Sequence, residues 1–171
     1  EALNVVDKGA DLIDFMKNRI STLKKSYDVK SELTVAAIEW IDPMMAAGNW
    51  VPELIEMAGG INLFGEAGKH SPWMKYKDLI EKDPNTIIIM PCGYNIQKSI
   101  IEIDSLINQK GWQEINAVRN DKLYITDGNQ YFNRPGPRII ESLEILIEIF
   151  HDYKTNFKHL DSGWIKFNST N

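Results

Sequence analysis

The sequence predicts an α/β fold in which one long helix precedes a Rossmann-like three-layer lobe built on a short parallel sheet. Apolar residues recur every three or four positions over residues 3–25, which is the spacing of an amphipathic helix. After residue 32, short apolar and β-branched runs alternate with helical patterns, and strands that helices cover on both faces have such continuous runs. The 171 residues, of which 43% are hydrophobic, suffice to bury one core.

The individual elements have local support as well. A proline in the first turn and a Gly-Gly pair at the end mark a helix at 51–58, because these residues favour opposite helix ends. Residues 128–137 are predicted as a loop, and those after 152 as an exposed tail with Trp164 as an anchor. The predicted strands span 33–38, 61–64, 86–90 and 123–126, and the other predicted helices span 73–82, 96–108 and 138–150.

Composition and charge exclude several classes of function. The net charge of -5 argues against nucleic acid as a partner, because phosphate binding needs clustered Lys and Arg. The single cysteine, Cys92, excludes an internal disulfide framework. His70, His151 and His159 stand far apart without the spacing of a metal site, so no metal is predicted. No apolar run reaches the roughly 20 residues of a membrane span, so we expect a soluble chain.

Three loops follow the predicted strands at one edge of the sheet, where ligands bind in open parallel sheets because loops and helix N-termini converge there. They span 39–50, 91–95 and 128–135. In the first loop, Trp40 and the methionines fit equally well as ligand contacts or as a plug on top of the core. Trp50 favours ligand contact, because glycine and proline on either side keep it exposed. The candidates here are Trp40, Met44, Asn49 and Trp50.

The second and third loops add aromatic and cationic side chains. Tyr94 lies in the second loop, and Tyr131 and Arg134 lie in the third, directly before the final predicted helix. Arginine suits a ligand that carries carboxylate, amide or phosphate groups. Arg138 is instead expected to pair with an acid such as Glu141 on its own helix.

The same loops contain groups that an enzyme could use. Glu39 and Asp42 could act as general acid and base, and Cys92 follows a strand at a position where nucleophiles occur. Two acids on one loop are commonplace, however, and Cys92 has no base beside it in the sequence, which favours a small buried thiol. No catalytic residue is assigned. An α/β enzyme that uses these groups remains the alternative from another class, and a single-lobe sensory or scaffolding module is a second alternative.

Three segments resemble a known family. Segment 35–60, VAAIEWIDPMMAAGNWVPELIEMAGG, closely resembles the C-terminal lobe of the helical-backbone periplasmic binding proteins for cobalamin, haem and iron-siderophores. Segments 83–93, DPNTIIIMPCG, and 133–140, NRPGPRII, are similar to further parts of that lobe. The resemblance covers residues 3–151 and favours the cobalamin-type branch.

The resemblance implies a fold and a function. In that family two Rossmann-like lobes are joined by one long helix and hold the ligand between them. Residues 1–28 are therefore expected to form the connecting helix, and residues 29–171 the C-terminal ligand-binding lobe. The expected function is capture of cobalamin or another metal chelate for an ABC importer, without a cofactor of the protein's own. The expected location is periplasmic or otherwise extracytoplasmic, with or without a membrane anchor.

Two further expectations concern protein partners. Members of that family dock on a membrane permease through one surface glutamate per lobe, and Glu53 at the start of a predicted helix is the candidate here. The helix dipole alone would also favour an acid at that position. The apolar stripe of the first helix must rest on this lobe or on a second copy, so a homodimer of the isolated lobe is also an expectation.

Overall fold

The computed structural model describes residues 5–27, 32–152 and 155–168. One long helix leads, and shorter strands and helices then alternate. The helices are α1 (Val6–Ser26), α2 (Val51–Met57), α3 (Tyr76–Lys82), α4 (Ile96–Glu102), α5 (Asp104–Ile107), α6 (Asn116–Arg119) and α7 (Ile139–Phe150). The strands are β1 (Thr34–Trp40), β2 (Met45–Ala46), β3 (Ile61–Asn62), β4 (Thr86–Ile89), β5 (Leu123–Thr126) and β6 (Trp164–Lys166).

The strands form one six-stranded sheet with a parallel centre. β1, β4 and β5 pair in parallel, and Ile38, Ile89 and Ile125 lie side by side in this register. β2 pairs antiparallel with the end of β1, β3 pairs parallel with its start, and β6 pairs antiparallel with β5. The predicted α/β class with a short parallel sheet is confirmed, and the two antiparallel strands extend it at its edges.

Apolar side chains on the two faces of the sheet form separate halves of the core. One half contains Val35 and Ala37 of β1 and packs against α2 and α7. The other half contains Ala36 and Ile38 and packs against α3, α4, α5 and α6. Successive side chains of a strand point to opposite faces. A strand that is buried on both faces therefore needs apolar residues in succession, which explains the continuous runs in the sequence.

The chain after residue 152 is not the exposed tail that the sequence predicts. Its described part includes β6, and Trp164 is fully buried at 0% exposure. The Trp164 ring lies edge-on to Tyr124 with centroids 5.7 Å apart, and its Nε1 donates to the Glu148 carboxylate at 2.7 Å. The prediction of a tail is wrong because a three-residue strand is too short to show periodicity, but Trp164 does anchor the segment.

Other predicted elements also differ from the structure. The first residues predicted for the third helix are extended instead, because the Lys75 N–H donates to the Asp78 carboxylate and this bond caps a helix that starts at Tyr76. α4 and α5 replace one longer predicted helix and are separated at Ile103. The loop before α7 includes a π-helical turn, Gly128–Phe132.

Only the C-terminal half of α1 packs on the lobe. Leu23 is buried, and Met16 and Ile20 pack against the core half that contains α7. On the N-terminal half, Val6 and Ile13 of the same stripe expose 60% and 52% of their surface. The apolar stripe is thus covered over only part of the helix. None of the described helices, α1 included, combines the length and apolarity needed to cross a bilayer.

A polar cluster joins α1, α7 and the segment before β6. Arg19 of α1 donates through Nη2 to one oxygen of Glu144 at 2.5 Å, and His159 Nε2 lies 3.0 Å from the other oxygen. Burial by itself raises the pKa of Glu144, but the hydrogen bonds from His159 and Arg19 outweigh burial and lower that pKa. The hydrogen bond with Glu144 raises the pKa of His159 against the opposing effect of burial. Glu148 and Glu141 on the same helix add to this rise.

We expect this cluster to make the stability of the fold depend on pH. Because the folded pKa of His159 is raised, its contribution is complete below the unfolded value of about 6.5 and is lost as pH rises through the folded pKa. The lowered pKa of Glu144 works in the other direction, since its contribution is lost as pH falls through the folded pKa. His159→Gln should therefore lower the free energy of unfolding by roughly 1.5 to 3 kcal/mol at about pH 5.5, and by less at about pH 9.

Urea unfolding of the wild type and of His159→Gln at the two pH values measures this difference. His70→Gln is the matched control, because His70 is exposed and stands outside the cluster. An equal loss of stability at both pH values would show that His159 acts through packing and not through its charge.

Candidate ligand-binding site

The three predicted loops meet at the carboxyl edge of the central strands, and their main chains are bonded to one another. The Cys92 N–H donates to the Glu39 carbonyl at 3.0 Å, which ties the second loop to the first. The Asn129 N–H donates to the Tyr94 carbonyl at 3.1 Å, which ties the third loop to the second. The loops therefore form one connected surface above the sheet.

Trp40 and Tyr94 form an aromatic pair between the first and second loops. Their ring centroids are 5.4 Å apart, and the Lys98 ammonium lies 3.7 Å from the centroid of the Tyr94 ring. Trp40 Nε1 donates to the Asp42 carbonyl at 3.1 Å, which orients the indole. Both rings are half-buried, and both line a crevice of about 50 Å³.

A larger cavity of about 290 Å³ lies under the first loop. It shares the lining residues Ile41, Asp42 and Ser105 with the crevice beside Trp40, so the two cavities adjoin. Met44 exposes only 9% of its surface and belongs to the core, yet it also lines the cavity. The core role that the sequence leaves open for Met44 is therefore observed, whereas its ligand contact stays a prediction. The other lining residues combine apolar and polar groups: Pro43, Met74, Tyr76, Leu106 and Gln109.

Asn49 and Trp50 complete the first loop before α2. Asn49 has a φ of 55°, a left-handed conformation that asparagine adopts more readily than most residues. Its N–H donates to the Lys69 carbonyl and its carbonyl accepts the Gly68 N–H, both at 2.7 Å. Asn49 is exposed, whereas Trp50 is half-buried and packs partly against the core half that contains α7. A ligand contact stays a prediction for both residues.

Tyr131 and Arg134 of the third loop lie in different environments. Tyr131 exposes 9% of its surface and belongs to the core, and the Arg138 guanidinium lies 5.5 Å from the centroid of its ring. Arg134 is exposed and donates to the Asn129 side chain at 3.0 Å. Of the two, Arg134 is therefore the one that reaches the surface. The expected ion pair between Arg138 and Glu141 is present at 3.7 Å.

Trp73 is a candidate that the sequence interpretation missed. It exposes 68% of its surface, and its main chain forms a β-bridge with Met45 of β2, at the end of β1. It adjoins a groove of about 380 Å³ that Phe64 and Pro72 also line. The missed signal is the proline directly before it, which favours a loop over a helix at this position.

The groups that an enzyme would use are poorly arranged for catalysis. The Glu39 carboxylate accepts the Ser71 hydroxyl at 2.7 Å. Cys92 is exposed, so its interpretation as a small buried thiol is wrong, because the buried part of the strand and its extension ends at Pro91. Partial burial and the charge of Glu39 raise the pKa of the Cys92 thiol, which disfavours the reactive thiolate. Within the described ranges, no three His, Cys, Asp or Glu side chains are grouped to hold a metal ion.

An open parallel sheet whose strand-end loops form a connected, partly aromatic surface defines the class of α/β ligand-binding lobes. A model of the periplasmic binding protein family matches residues 1–130. The chain therefore belongs to the periplasmic binding protein family.

Individual relatives agree with this assignment. A vitamin B12-binding protein of Vibrio cholerae is 27% identical over 101 residues, which are 58% of this chain and 33% of that protein. An ABC transporter substrate-binding protein from Listeria monocytogenes superposes with a TM-score of 0.74 at 16% identity, over 86% of this chain and 58% of that chain. A periplasmic heme-binding protein from Roseiflexus superposes with a TM-score of 0.70 at 21% identity, over 90% of this chain and 59% of that chain.

The two solved structures show the same fold, which confirms the predicted architecture. The chain matches about one third of the length of the vitamin B12-binding relative and a little over half of each solved chain.

Trp50 and Trp73 differ in burial, so their replacement by alanine should affect the stability of the fold differently. Trp73→Ala should weaken ligand binding by roughly tenfold if its exposed ring contacts ligand, and it should change stability by no more than about 0.5 kcal/mol. Trp50→Ala should lower both the affinity for ligand and the stability of the fold, because its ring also packs on the core. Cyanocobalamin titration followed by tryptophan emission, with thermal melts, measures both quantities in the two-lobed protein that the resemblance predicts.

Ile61→Ala is the matched control, because Ile61 is 46% exposed and pairs with the opposite end of β1. Unchanged affinity and quenching in both tryptophan variants would contradict the placement of these residues in the ligand site.

Proposed function

We propose that this chain is the C-terminal lobe, with the connecting helix, of an extracytoplasmic substrate-binding protein that captures a corrinoid or another metal chelate for an ABC importer. The observation that carries the proposal is the pair of adjoining cavities at the carboxyl edge of the sheet, one beside Trp40 and Tyr94 and the other under the first loop. Ligand pockets are concave and mostly apolar, with a few polar groups. Membership in the periplasmic binding protein family supports the binding role and the extracytoplasmic location.

A flat and bulky ligand suits this surface better than a small polar solute. Indole and phenol rings supply a large apolar area with a polar edge, and the thioethers of Met44 and Met74 adapt to irregular shapes. The exposed Arg134 is available to carboxylate or amide groups at the periphery of a ligand. The likeness in sequence to a vitamin B12-binding protein favours a corrinoid among the metal chelates.

One lobe supplies only one wall of such a site. The cavity of about 290 Å³ is smaller than a site that encloses a corrinoid, and binding sites commonly enclose about 70 to 90% of their ligand. We propose that a second lobe faces this surface and that α1 connects the two. The exposed Val6 and Ile13, which lie on one face of α1, support this arrangement, because an apolar stripe needs cover. A second copy of this chain on the same stripe is the alternative arrangement.

The alternative from another class is an α/β enzyme at the same loops. It is less well supported, because the Glu39 carboxylate is engaged by Ser71 and the pKa of the Cys92 thiol is raised. A single-lobe sensory or scaffolding module is the other alternative. Turnover that Cys92→Ala or Asp42→Asn abolishes would favour the enzyme over the binding protein.

The proposal predicts that the 171-residue chain folds by itself but binds cyanocobalamin weakly. Folding is expected because its own helices cover both faces of the sheet. Weak binding is expected because half of the contacts are lost, whereas the entropy cost of association is almost unchanged. Calorimetry should give a cooperative melt, and titration of the chain should give far less tryptophan quenching than titration of the two-lobed protein. Tight binding by the chain alone would show that the site is complete within these residues.

Glu53 is proposed to contact the permease and not the ligand. It is exposed in the first turn of α2, and a charge at the rim of an interface mainly affects association. Glu53→Ala should therefore reduce transport while the affinity for ligand stays unchanged. Glu56→Ala, at a second exposed position of the same helix, is the matched control. If Glu53→Ala weakens ligand binding and transport falls only in proportion, the docking role is wrong.

A further inference from the structure

Glu39 stands where the first loop meets the segment that leads to Trp73. Its carboxylate accepts the Ser71 hydroxyl at 2.7 Å and the Gly48 N–H at 3.4 Å. Ser71 is itself buried, and its hydroxyl oxygen also accepts the Gly48 N–H at 3.2 Å. Hydrogen bonds thus join three groups from separate parts of the chain: the Glu39 carboxylate, the Ser71 hydroxyl and the Gly48 N–H.

The two segments that Glu39 joins lie main chain against main chain. A Cβ atom on Gly48 would lie 2.6 Å from the Ser71 nitrogen, so any other residue at this position would push the segments apart. The Ala46 N–H donates to the Pro72 carbonyl at 3.0 Å. Residues 44–50 and 68–73 therefore form one bonded unit, and we refer to them as the paired loops. Trp50 and Trp73 lie at the ends of these loops.

A carboxylate is suited to hold the paired loops. An ionised carboxylate only accepts hydrogen bonds, and hydrogen bonds to a charged acceptor are roughly twice as strong as those between neutral groups. Among the described residues, no Lys or Arg forms an ion pair with Glu39. Its carboxylate is instead hydrogen-bonded by the Ser71 hydroxyl and the Gly48 N–H. Without Glu39, the buried Ser71 hydroxyl would lose its acceptor, which is destabilising.

We propose that Glu39 is a positioning residue for ligand capture. Its carboxylate holds the paired loops at the end of β1, so that Trp50 and Trp73 present their rings in a fixed geometry. Glu39 exerts this effect on the two tryptophans through its hydrogen bonds with Ser71 and Gly48. The identity of the captured ligand rests on the proposed function, whereas the positioning role is testable without any ligand.

Fluorine NMR on the chain labelled with 5-fluorotryptophan tests the positioning role. The five tryptophans give one resonance each. Glu39→Ala should shift and broaden the resonances of Trp50 and Trp73, and should leave those of Trp112 and Trp164 unchanged, because both are fully buried in other parts of the core. Glu39→Gln keeps an acceptor oxygen and should restore most of the wild-type spectrum.

Two further variants sharpen the test. Ser71→Ala removes the other partner of the same hydrogen bond, so it should reproduce the spectrum of Glu39→Ala, and the double variant should add little. Glu56→Ala removes an exposed charge outside the paired loops and should leave all the resonances in place. In the two-lobed protein, Glu39→Ala should weaken cyanocobalamin binding by roughly tenfold, and Glu39→Gln by much less.

Unchanged resonances of Trp50 and Trp73 in Glu39→Ala would overturn the proposal. Changes that extend equally to Trp112 and Trp164 would also overturn it, because they would indicate general loosening of the core. If the wild-type two-lobed protein fails to bind cyanocobalamin, the proposed ligand class is wrong. The fluorine spectra of the variants then decide the role of Glu39 by themselves.

Discussion

Parallel pairing of the three central strands positions the three loops of the candidate site. Because β1, β4 and β5 run in the same direction and in register, their carboxyl ends coincide at one edge, and three loops from distant parts of the sequence are brought together. The approach of these loops is close. A Cβ atom on Gly128 would collide with the carbonyl oxygens of Pro91 and Met90, so the third loop can pass the second only where glycine removes the side chain.

The candidate site is held by the same packing that makes the core. Met44 fills the core and lines the cavity, and Trp50 packs on the core from the loop before α2. A recognition surface needs side chains whose rotamers are locked by their neighbours, and these residues obtain that support from the lobe itself. Trp73 has less support from packing, so its geometry depends on the hydrogen bonds of the segment that carries it, including those of Glu39 and Ser71.

α1 is attached to the lobe by the apolar packing of its C-terminal half and by one polar cluster. Leu23 anchors its C-terminal end in the core, and Arg19 shares the Glu144 carboxylate with His159. The same cluster therefore holds α1 and the segment before β6 against α7. The direction in which the exposed half of α1 projects is set at this point.

The fold class, the order of the central strands and main helices, and the three loops of the candidate site could be predicted from the sequence, because apolar runs, prolines and glycines report interactions between residues near one another in the chain. The resemblance of segment 35–60 identified the family. Only the tertiary structure decided which loop side chains reach the surface. Tyr131 lies in an aromatic loop yet is buried, Cys92 is exposed, and Trp73 projects from a segment that was predicted as helix. β6 pairs with a strand about 40 residues earlier, through contacts such as that between Trp164 and Tyr124. Burial and pairing of this kind depend on residues far apart in the chain, so the local periodicity of the sequence does not predict them.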